Sequence, residues 1–181
     1  MNKKLFSVAL IAAATMTLGF TSCSDDDDKK ENEEVIEKKA SEEIAGTYTG
    51  GIYITSAYFR PTEMPEKNQT VTITANEDGE TVTVAFSHST SEEYYWGDFK
   101  YENVSVTKNE DGSFSIAGEG VCANMLYRGR TQNPMASNVT GTIVGGELVA
   151  DFALPSLMGV TVISFNPADF DEVFAAANQS E

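Results

Sequence analysis

Residues 69–87 read QTVTITANEDGETVTVAFS and decide the fold class. Val71 and Ile73 alternate with threonines, and the same period of two returns over residues 81–87. Strict alternation of β-branched and polar residues predicts a strand with one buried face. Residues 76–79, Asn-Glu-Asp-Gly, separate the two runs and are typical of a tight turn. The stretch therefore predicts an antiparallel hairpin with one apolar face.

A second copy of this pattern follows, because residues 104–112 (VSVTKNEDG) match residues 71–79 (VTITANEDG) at an offset of 33. The apolar positions change from odd to even across the first turn, whereas they stay even across the second. Since a shift of one residue turns a strand over, the first loop needs an even number of residues and the second an odd number. We predict a loop of two or four residues at 76–79, and a three-residue loop with Gly112 in a left-handed bulge.

Strand-like segments of this kind occur along most of the chain. They lie at residues 44–55, 69–75, 81–87, 103–108, 113–117, 138–144, 147–154 and 160–165. Short β-branched segments separated by turn residues predict an all-β fold, either a barrel or a sandwich. Eight segments without a Cys-Trp-Cys core favour a small eight-stranded antiparallel up-and-down barrel, in which closure removes exposed strand edges.

A short helix is predicted after the last strand. Asn166 and Pro167 supply an N-cap and a first helical residue. The apolar residues that follow share one helical face, which we expect to pack on the outside of the sheet: Phe170, Val173, Phe174 and Ala177.

The first residues are typical of an export signal. Lys3 and Lys4 precede an apolar run over residues 5–18 and a small, polar exit. This run is too short and lacks the flanking charges of a spanning helix with a stop-transfer signal, so residues 1–22 are interpreted as a lipoprotein signal peptide. Residues 20–23, Phe-Thr-Ser-Cys, resemble the bacterial lipobox, which implies acylation of Cys23 with palmitate-like chains. An ordinary cleavage site, with the cysteine incidental, is the alternative.

An acidic tether follows the predicted acylation site. Residues 24–43 contain few apolar side chains and cannot bury enough surface to fold alone. As a flexible coil this segment would span about 25 Å. Residues 24–28, Ser-Asp-Asp-Asp-Asp, resemble the surface-export signal of Bacteroidetes-type lipoproteins, which implies an outer-membrane location and display on the cell surface. A solvated acidic spacer is the simpler interpretation of the same residues. We thus divide the chain into residues 1–22, the acylated tether 23–43 and the domain 44–181.

The composition excludes several classes of protein. The chain has 181 residues, 12 basic and 28 acidic side chains, and a formal net charge of −16. Binding to nucleic acid requires clustered Lys and Arg, so nucleic acid is not expected as a partner. Two cysteines and one histidine cannot supply four zinc ligands, and we expect neither a bound metal nor a cofactor.

A recognisable catalytic set is also lacking. The histidine, His88, lies in the polar stretch Ser-His-Ser-Thr-Ser without a nucleophile elbow, so we expect a loop residue rather than a catalytic base. Cys122 has no cysteine partner once Cys23 is acylated, and we expect it to be buried like a small apolar residue, with a reactive thiol as the alternative. The chain is therefore predicted not to be an enzyme.

Two segments are candidates for contact with a ligand. Tyr94, Tyr95 and Trp96 concentrate amphipathic rings, which suit either a sugar-stacking platform at a barrel mouth or a plug of the barrel end. Tyr127, Arg128 and Arg130 lie in the connection over residues 122–137, which could receive an anionic head group with an apolar tail or form a solvated loop.

Several motifs resemble those of the calycin-like β-barrel domains found in Bacteroidetes-type lipoproteins. They are Ile-Ala-Gly-Thr-Tyr-Thr-Gly at 44–50, Gly-Asp-Phe-Lys-Tyr-Glu-Asn-Val at 97–104 with Asp-Gly at 111–112, Val-Thr-Gly-Thr-Ile at 139–143 and Leu-Val-Ala-Asp-Phe at 148–152. The resemblance covers about residues 44–166. Gly46, Thr47 and Tyr48 also resemble the Gly-x-Trp opening of lipocalins, with tyrosine in place of tryptophan. The resemblance to the calycin-like domains implies an up-and-down calycin-like barrel.

Together these features predict a lipid-anchored cell-envelope protein with a non-enzymatic binding or accessory role. Its partner is expected to be a small hydrophobic molecule, a glycan or a protein. The alternative is an inhibitor-like or protein-interaction module that acts through the barrel loops. A hydrolase is a distant third.

Overall fold

The computed structural model describes residues 38–57, 66–88, 94–127 and 129–167. This part of the chain contains one short helix and eleven strands. The helix is α1 (Ala40–Ile44), and the strands are β1 (Gly46–Thr55), β2 (Glu66–Ala75), β3 (Thr81–Ser87), β4 (Tyr94–Tyr95), β5 (Asp98–Lys108), β6 (Phe114–Ala123), β7 (Leu126–Tyr127), β8 (Arg130–Thr131), β9 (Met135–Val144), β10 (Glu147–Leu154) and β11 (Thr161–Pro167).

Eight of these strands form a closed antiparallel barrel. Around the barrel their order is β1, β2, β3, β5, β6, β9, β10 and β11, and β11 pairs with β1 to close it. Each barrel strand neighbours the next barrel strand along the chain, so the predicted eight-stranded up-and-down topology is confirmed. β4, β7 and β8 form a separate three-stranded sheet.

The two predicted hairpins have the predicted loop lengths. In the first, the Asn76 amide donates to the Thr81 carbonyl at 3.0 Å, which leaves the four residues 77–80 in the loop. In the second, the Asn109 amide donates to the Ser113 carbonyl at 2.8 Å, which leaves residues 110–112, and Gly112 has a φ of 82°. The parity of the apolar positions therefore identified both turns correctly.

β5 begins earlier than its apolar pattern suggests. A bulge between Tyr101 and Ser105 shifts the register against both neighbouring sheet partners, and Asn103 adopts a φ of 55° there. The inward residues consequently fall at odd positions before the bulge, such as Phe99, and at an even position after it, at Val104. This change of phase hides the first half of the strand from a periodicity search.

The interior of the barrel is packed with side chains. Phe86 on β3 and Phe152 on β10 come from opposite sides of the strand order, yet their ring centroids lie 4.9 Å apart. The Phe99 ring contacts both, with its centroid 5.5 Å from that of Phe86 and 5.6 Å from that of Phe152. The Tyr101 ring lies 5.9 Å from Phe152 and its hydroxyl pairs with the Ser137 hydroxyl at 2.7 Å. Aromatic rings therefore fill the lumen at this level.

Helix α1 packs against the end of the barrel at which the chain enters β1. Ile44 is buried, and the Ser41 hydroxyl donates to the Gly79 carbonyl at 2.7 Å. Tyr48 donates to the Ile44 carbonyl at 2.6 Å, and Lys108 pairs with Glu43 at 2.8 Å. The partners of Ser41 and Glu43 are distant in the sequence, so the composition of the predicted tether did not reveal this contact. The boundary predicted between residues 43 and 44 falls inside α1.

Other predictions concern parts of the chain outside the described residues. The signal peptide at 1–22, Cys23 with most of the tether, and residues 168–181 of the predicted helical segment belong to this group. Asn166 and Pro167, predicted as the N-cap and first residue of that helix, instead lie in β11, where they pair with Gly51 and Gly50. Among the described residues, no helix has the length and apolar character needed to cross a membrane.

Candidate functional site

The two ends of the barrel differ in charge. The connections at the α1 end hold seven acidic residues against Lys38 and Lys39, and these acids are Glu42, Glu43, Glu77, Asp78, Glu80, Glu110 and Asp111. At the opposite end, which we call the rim, the chain connects β1 to β2, β3 to β5, β6 to β9, and β10 to β11. At this end the described residues include Arg130 in a connection, and Glu66 and Asp98 at the starts of β2 and β5. The sequence of the connections also contains Glu63, Glu92 and Glu93, which lie outside the described residues. The rim is thus the less acidic end of the described barrel.

The two candidate segments meet at the rim. β4 and the hairpin of β7 and β8 form one small antiparallel sheet, which we call the rim sheet. Tyr94 pairs with Tyr127, and Tyr127 pairs with Arg130. Gly129, in the short turn of the hairpin, has a φ of 71°, a conformation that favours glycine. Within the connection over 122–137, the segments Leu126–Tyr127 and Arg130–Thr131 are paired strand, while Gly129, Arg130 and Thr131 are exposed to solvent.

The predicted site residues lie in different environments. Tyr94 and Tyr127 occupy strand positions of the rim sheet, and Arg130 is exposed there, whereas Arg128 lies outside the described residues. Trp96 is 5% exposed and belongs to the hydrophobic core, so it contributes to closing the barrel end. The aromatic segment was interpreted either as a sugar-stacking platform or as a plug of the barrel end. The burial of Trp96 fits the plug.

His88 anchors the chain between β3 and the rim sheet. Its ring is buried, and Nε2 lies 2.6 Å from a carboxylate oxygen of Glu66. Nδ1 accepts a hydrogen bond from the Trp96 amide at 3.1 Å, which assigns the proton to Nε2 in the neutral ring. Both ring nitrogens are consequently engaged in structural contacts. His88 follows β3 outside any strand, as predicted, but its burial was not evident from its polar neighbours.

Tyr95 fixes the rim sheet to the barrel from the same side. Its ring stacks on His88 with centroids 5.9 Å apart, and its hydroxyl donates to Asp98. Burial, together with the Asp98 carboxylate, raises the pKa of Tyr95 to about 12, so the hydroxyl stays a donor. Although burial opposes ionisation of Asp98, hydrogen bonds from Tyr95 and Asn124 outweigh it and lower the pKa of this carboxyl.

Cys122 is buried, as expected for a small apolar residue. Its thiol donates to the Trp96 carbonyl at 3.3 Å. Burial raises the pKa of the thiol to about 12, which keeps it protonated and poorly nucleophilic. Cys122 is therefore a packing residue rather than a reactive thiol.

The sequence did not indicate Glu66, Asp98 or Asn124 as parts of this site. Glu66 lies before the alternating segment of β2, and Asp98 lies in the half of β5 that the bulge conceals. Gly97 is the residue in the sequence that could have indicated this site. Its φ is 105°, and a Cβ there would lie 2.6 Å from the Ala123 carbonyl oxygen. A glycine at such a close approach marks the tight join between the barrel and the rim sheet.

The sole tryptophan reports on the His88 anchor. We expect His88→Ala to shift Trp96 emission to longer wavelength and to increase its quenching by acrylamide, because the Trp96 amide and the Glu66 carboxylate lose their partner. The loss of stability should be about 1 to 3 kcal/mol. Glu66→Gln keeps an acceptor for Nε2 and should change the emission less. Unchanged emission in His88→Ala would contradict the role of this anchor.

The potential metal-binding side chains in the part of the chain that the structure describes do not form a ligand cluster. No group of three or more His, Cys, Asp or Glu side chains there is placed to hold a metal ion. His88 uses both ring nitrogens in the contacts above, so it has no free nitrogen with which to activate a nucleophile.

Comparison with known proteins identifies the class of protein that this barrel represents. The family model of the calycin-like beta-barrel domain matches residues 44–164, and the chain belongs to this family. The fold is also similar to the crystal structure of a Bacteroides fragilis protein assigned as an outer membrane protein, with a TM-score of 0.54 and 26% sequence identity. That match covers 71% of this chain and 45% of the Bacteroides fragilis chain, so less than half of the latter is represented. No curated protein matches the sequence.

Proposed function

We propose that this chain is a lipid-anchored protein of the outer membrane that binds a partner by contact at the rim and catalyses no reaction. Membership of the calycin-like family and the similarity to a Bacteroides fragilis protein assigned as an outer membrane protein support the envelope location. The Cys23 motif and the acidic residues after it support the anchor and surface display.

The packed lumen is the observation that carries this proposal. The Phe86 and Phe152 rings come from opposite sides of the barrel and stack at 4.9 Å, with Phe99 beside both. A small hydrophobic ligand at this level would have to displace side chains that are at most 2% exposed. Close-packed interiors resist insertion even of single methylene groups. Binding is therefore assigned to the outside of the barrel.

The engagement of His88 supports a role without catalysis. A general base needs a nitrogen that can reach the substrate proton, and neither nitrogen of this ring is free. The buried, protonated Cys122 likewise offers no activated nucleophile.

The path of the chain supports the rim as the contact surface. The predicted tether reaches the barrel at α1, and the rim sheet lies at the opposite end. The rim is therefore the end of the described barrel farther from the point at which the predicted tether joins it.

Mass spectrometry of the full chain purified from its native envelope tests this function. Under denaturing conditions we expect the mass of a chain cleaved before Cys23 and carrying acyl groups, which should be absent from a Cys23→Ala variant. Under native conditions we expect no stoichiometric small molecule bound to the folded chain. A stoichiometric lipophilic molecule would contradict binding by contact, and an unacylated wild-type chain would contradict the anchor.

A further inference from the structure

Strand β11 is buried on both of its faces. Ile163 and Phe165 belong to the core, so the residues that alternate with them, Val162, Ser164 and Asn166, point out of the barrel. Ser164 is nevertheless 8% exposed and Asn166 is 7% exposed, and Val162 is partly buried. The outer face of β11 is therefore covered.

Outward residues on other barrel strands show the contrast. Asn138, Thr140 and Thr142 on β9 alternate with inward residues, and all three are exposed. Thr70 and Thr72 on β2 are exposed in the same way. Exposure is thus the usual state of an outward side chain on this barrel wall, and β11 departs from it.

The residues paired with β11 do not provide this cover. Ser164 lies between Tyr53 on β1 and Asp151 on β10, and its hydroxyl donates to the Asp151 carboxylate at 2.6 Å. Asn166 pairs with Gly51, which has no side chain and is itself buried, and the pairing of β11 with β10 ends before Asn166. A glycine cannot shield the asparagine opposite it, so the cover over Asn166 comes from another segment.

The Asn166 side chain also indicates what this segment provides. Its Nδ2 is buried, and no described residue accepts a hydrogen bond from it. Buried amide groups are paired in the large majority of folded proteins, because an unpaired donor loses its bonds to water without replacement. The covering segment should therefore supply an oxygen acceptor at this position.

We propose that residues 168–181 pack along the outer face of β11 and cover the seam at which β11 meets β1. The chain continues directly from Pro167 at the end of β11, so this segment starts beside the covered face. Its predicted helix has one apolar face, as described above. As a helix, fourteen residues span about 21 Å, close to the length of about 24 Å of the seven-residue strand β11.

Composition favours this segment over the predicted tether. Residues 24–37 contain Val35 and Ile36 as their apolar side chains, whereas residues 168–181 contain two phenylalanines, a valine and several alanines. The acids Asp169 and Asp171 follow Asn166 closely in the sequence and supply oxygen acceptors for its amide. The burial of β11 is also a property of a single chain, so it needs no second copy.

Thiol labelling of the full chain tests this placement. Ser164→Cys is compared with Thr140→Cys, which lies in the same row across the sheet, because Thr140 and Ser164 both pair with Asp151. We expect N-ethylmaleimide to label position 164 at least about tenfold more slowly than position 140, since the reaction at 164 requires the segment to open. Mass spectrometry of the labelled peptide separates each new thiol from Cys122.

Substitutions in the segment itself identify the cover. In the Ser164→Cys chain, the double change Phe170→Asp and Phe174→Asp removes the apolar contacts and should raise the labelling rate at least about tenfold. Glu172→Gln is the matched control, because Glu172 lies on the opposite side of the predicted helix, and it should change the rate less than about twofold.

Two further measurements guard against misfolding. The labelling rate of Thr140→Cys and the emission of Trp96 should stay unchanged in each variant of the segment, which shows that the barrel remains folded. If the double variant does not fold, the milder change Phe174→Ala should raise the labelling rate at position 164 about threefold or more.

The proposal is overturned if Ser164→Cys reacts as fast as Thr140→Cys, or if the phenylalanine substitutions leave its rate unchanged. Protection that disappears on dilution would also overturn it, because a second copy would then supply the cover. Slow labelling that depends on Phe170 and Phe174 and not on protein concentration supports the proposal.

Discussion

Replacing Phe152 with alanine should lower the free energy of unfolding by about 3 to 5 kcal/mol. Phe152 is fully buried and lies between three aromatic rings, at 4.9 Å from Phe86, 5.6 Å from Phe99 and 5.9 Å from Tyr101. These neighbours come from the adjacent strands β3 and β5, across the lumen from β10. The closed sheet holds both strands in place, so their rings cannot move far enough to fill the space that Phe152 leaves. A cavity would remain at the centre of the barrel, and its cost adds to the lost burial.

Chemical denaturation of the two proteins measures this loss. Val149→Ala is the matched control, because Val149 lies on the same strand but is 47% exposed, and its cost should stay below about 1 kcal/mol. If Phe152→Ala costs no more than this control, the lumen is not held together by its rings. The argument against a ligand inside the barrel would then fail as well.

The sequence predicted the features that depend on neighbouring residues. Alternation of valine, isoleucine and threonine specified where strands run, because a period of two places one set of side chains on a buried face. The parity of the apolar positions around residues 76–79 and 109–113 limited the first loop to two or four residues and the second to an odd number, since a loop of the wrong parity would turn one strand inside out. Eight such strands without exposed edges were sufficient to predict the barrel.

Contacts between distant parts of the chain were harder to predict. The bulge at Asn103 changes the phase within β5, so periodicity missed the half of that strand that carries Asp98. The pairing of Tyr94 with Tyr127 joins two connections that are separated by β5 and β6, and nothing local in either segment specifies it. The types of residue at the candidate site were therefore recognisable, whereas the pairing of their two segments required the register.

The seam between β1 and β11 closes the barrel, and Gly50 controls how closely the two strands approach. A Cβ added at Gly50 would lie 2.0 Å from the backbone oxygen of Asn166 and 2.9 Å from the Phe165 ring. The backbone oxygen belongs to the pairing strand itself, so it cannot turn away as a flexible side chain would. Gly50→Ala should therefore separate β11 from β1 and lower the free energy of unfolding by about 3 kcal/mol or more.

Gly46→Ala is the matched control for this substitution, because Gly46 lies on the same strand and no atom approaches the added Cβ within 4 Å. Its φ lies outside the left-handed region, so alanine fits and restricts the unfolded chain, which should leave the stability equal or raise it by up to about 1 kcal/mol. Thermal and chemical denaturation of the two variants compare a close approach with an open position in one strand. Equal stabilities would mean that β11 tolerates displacement at the seam, and that closure does not depend on contact between these two backbones.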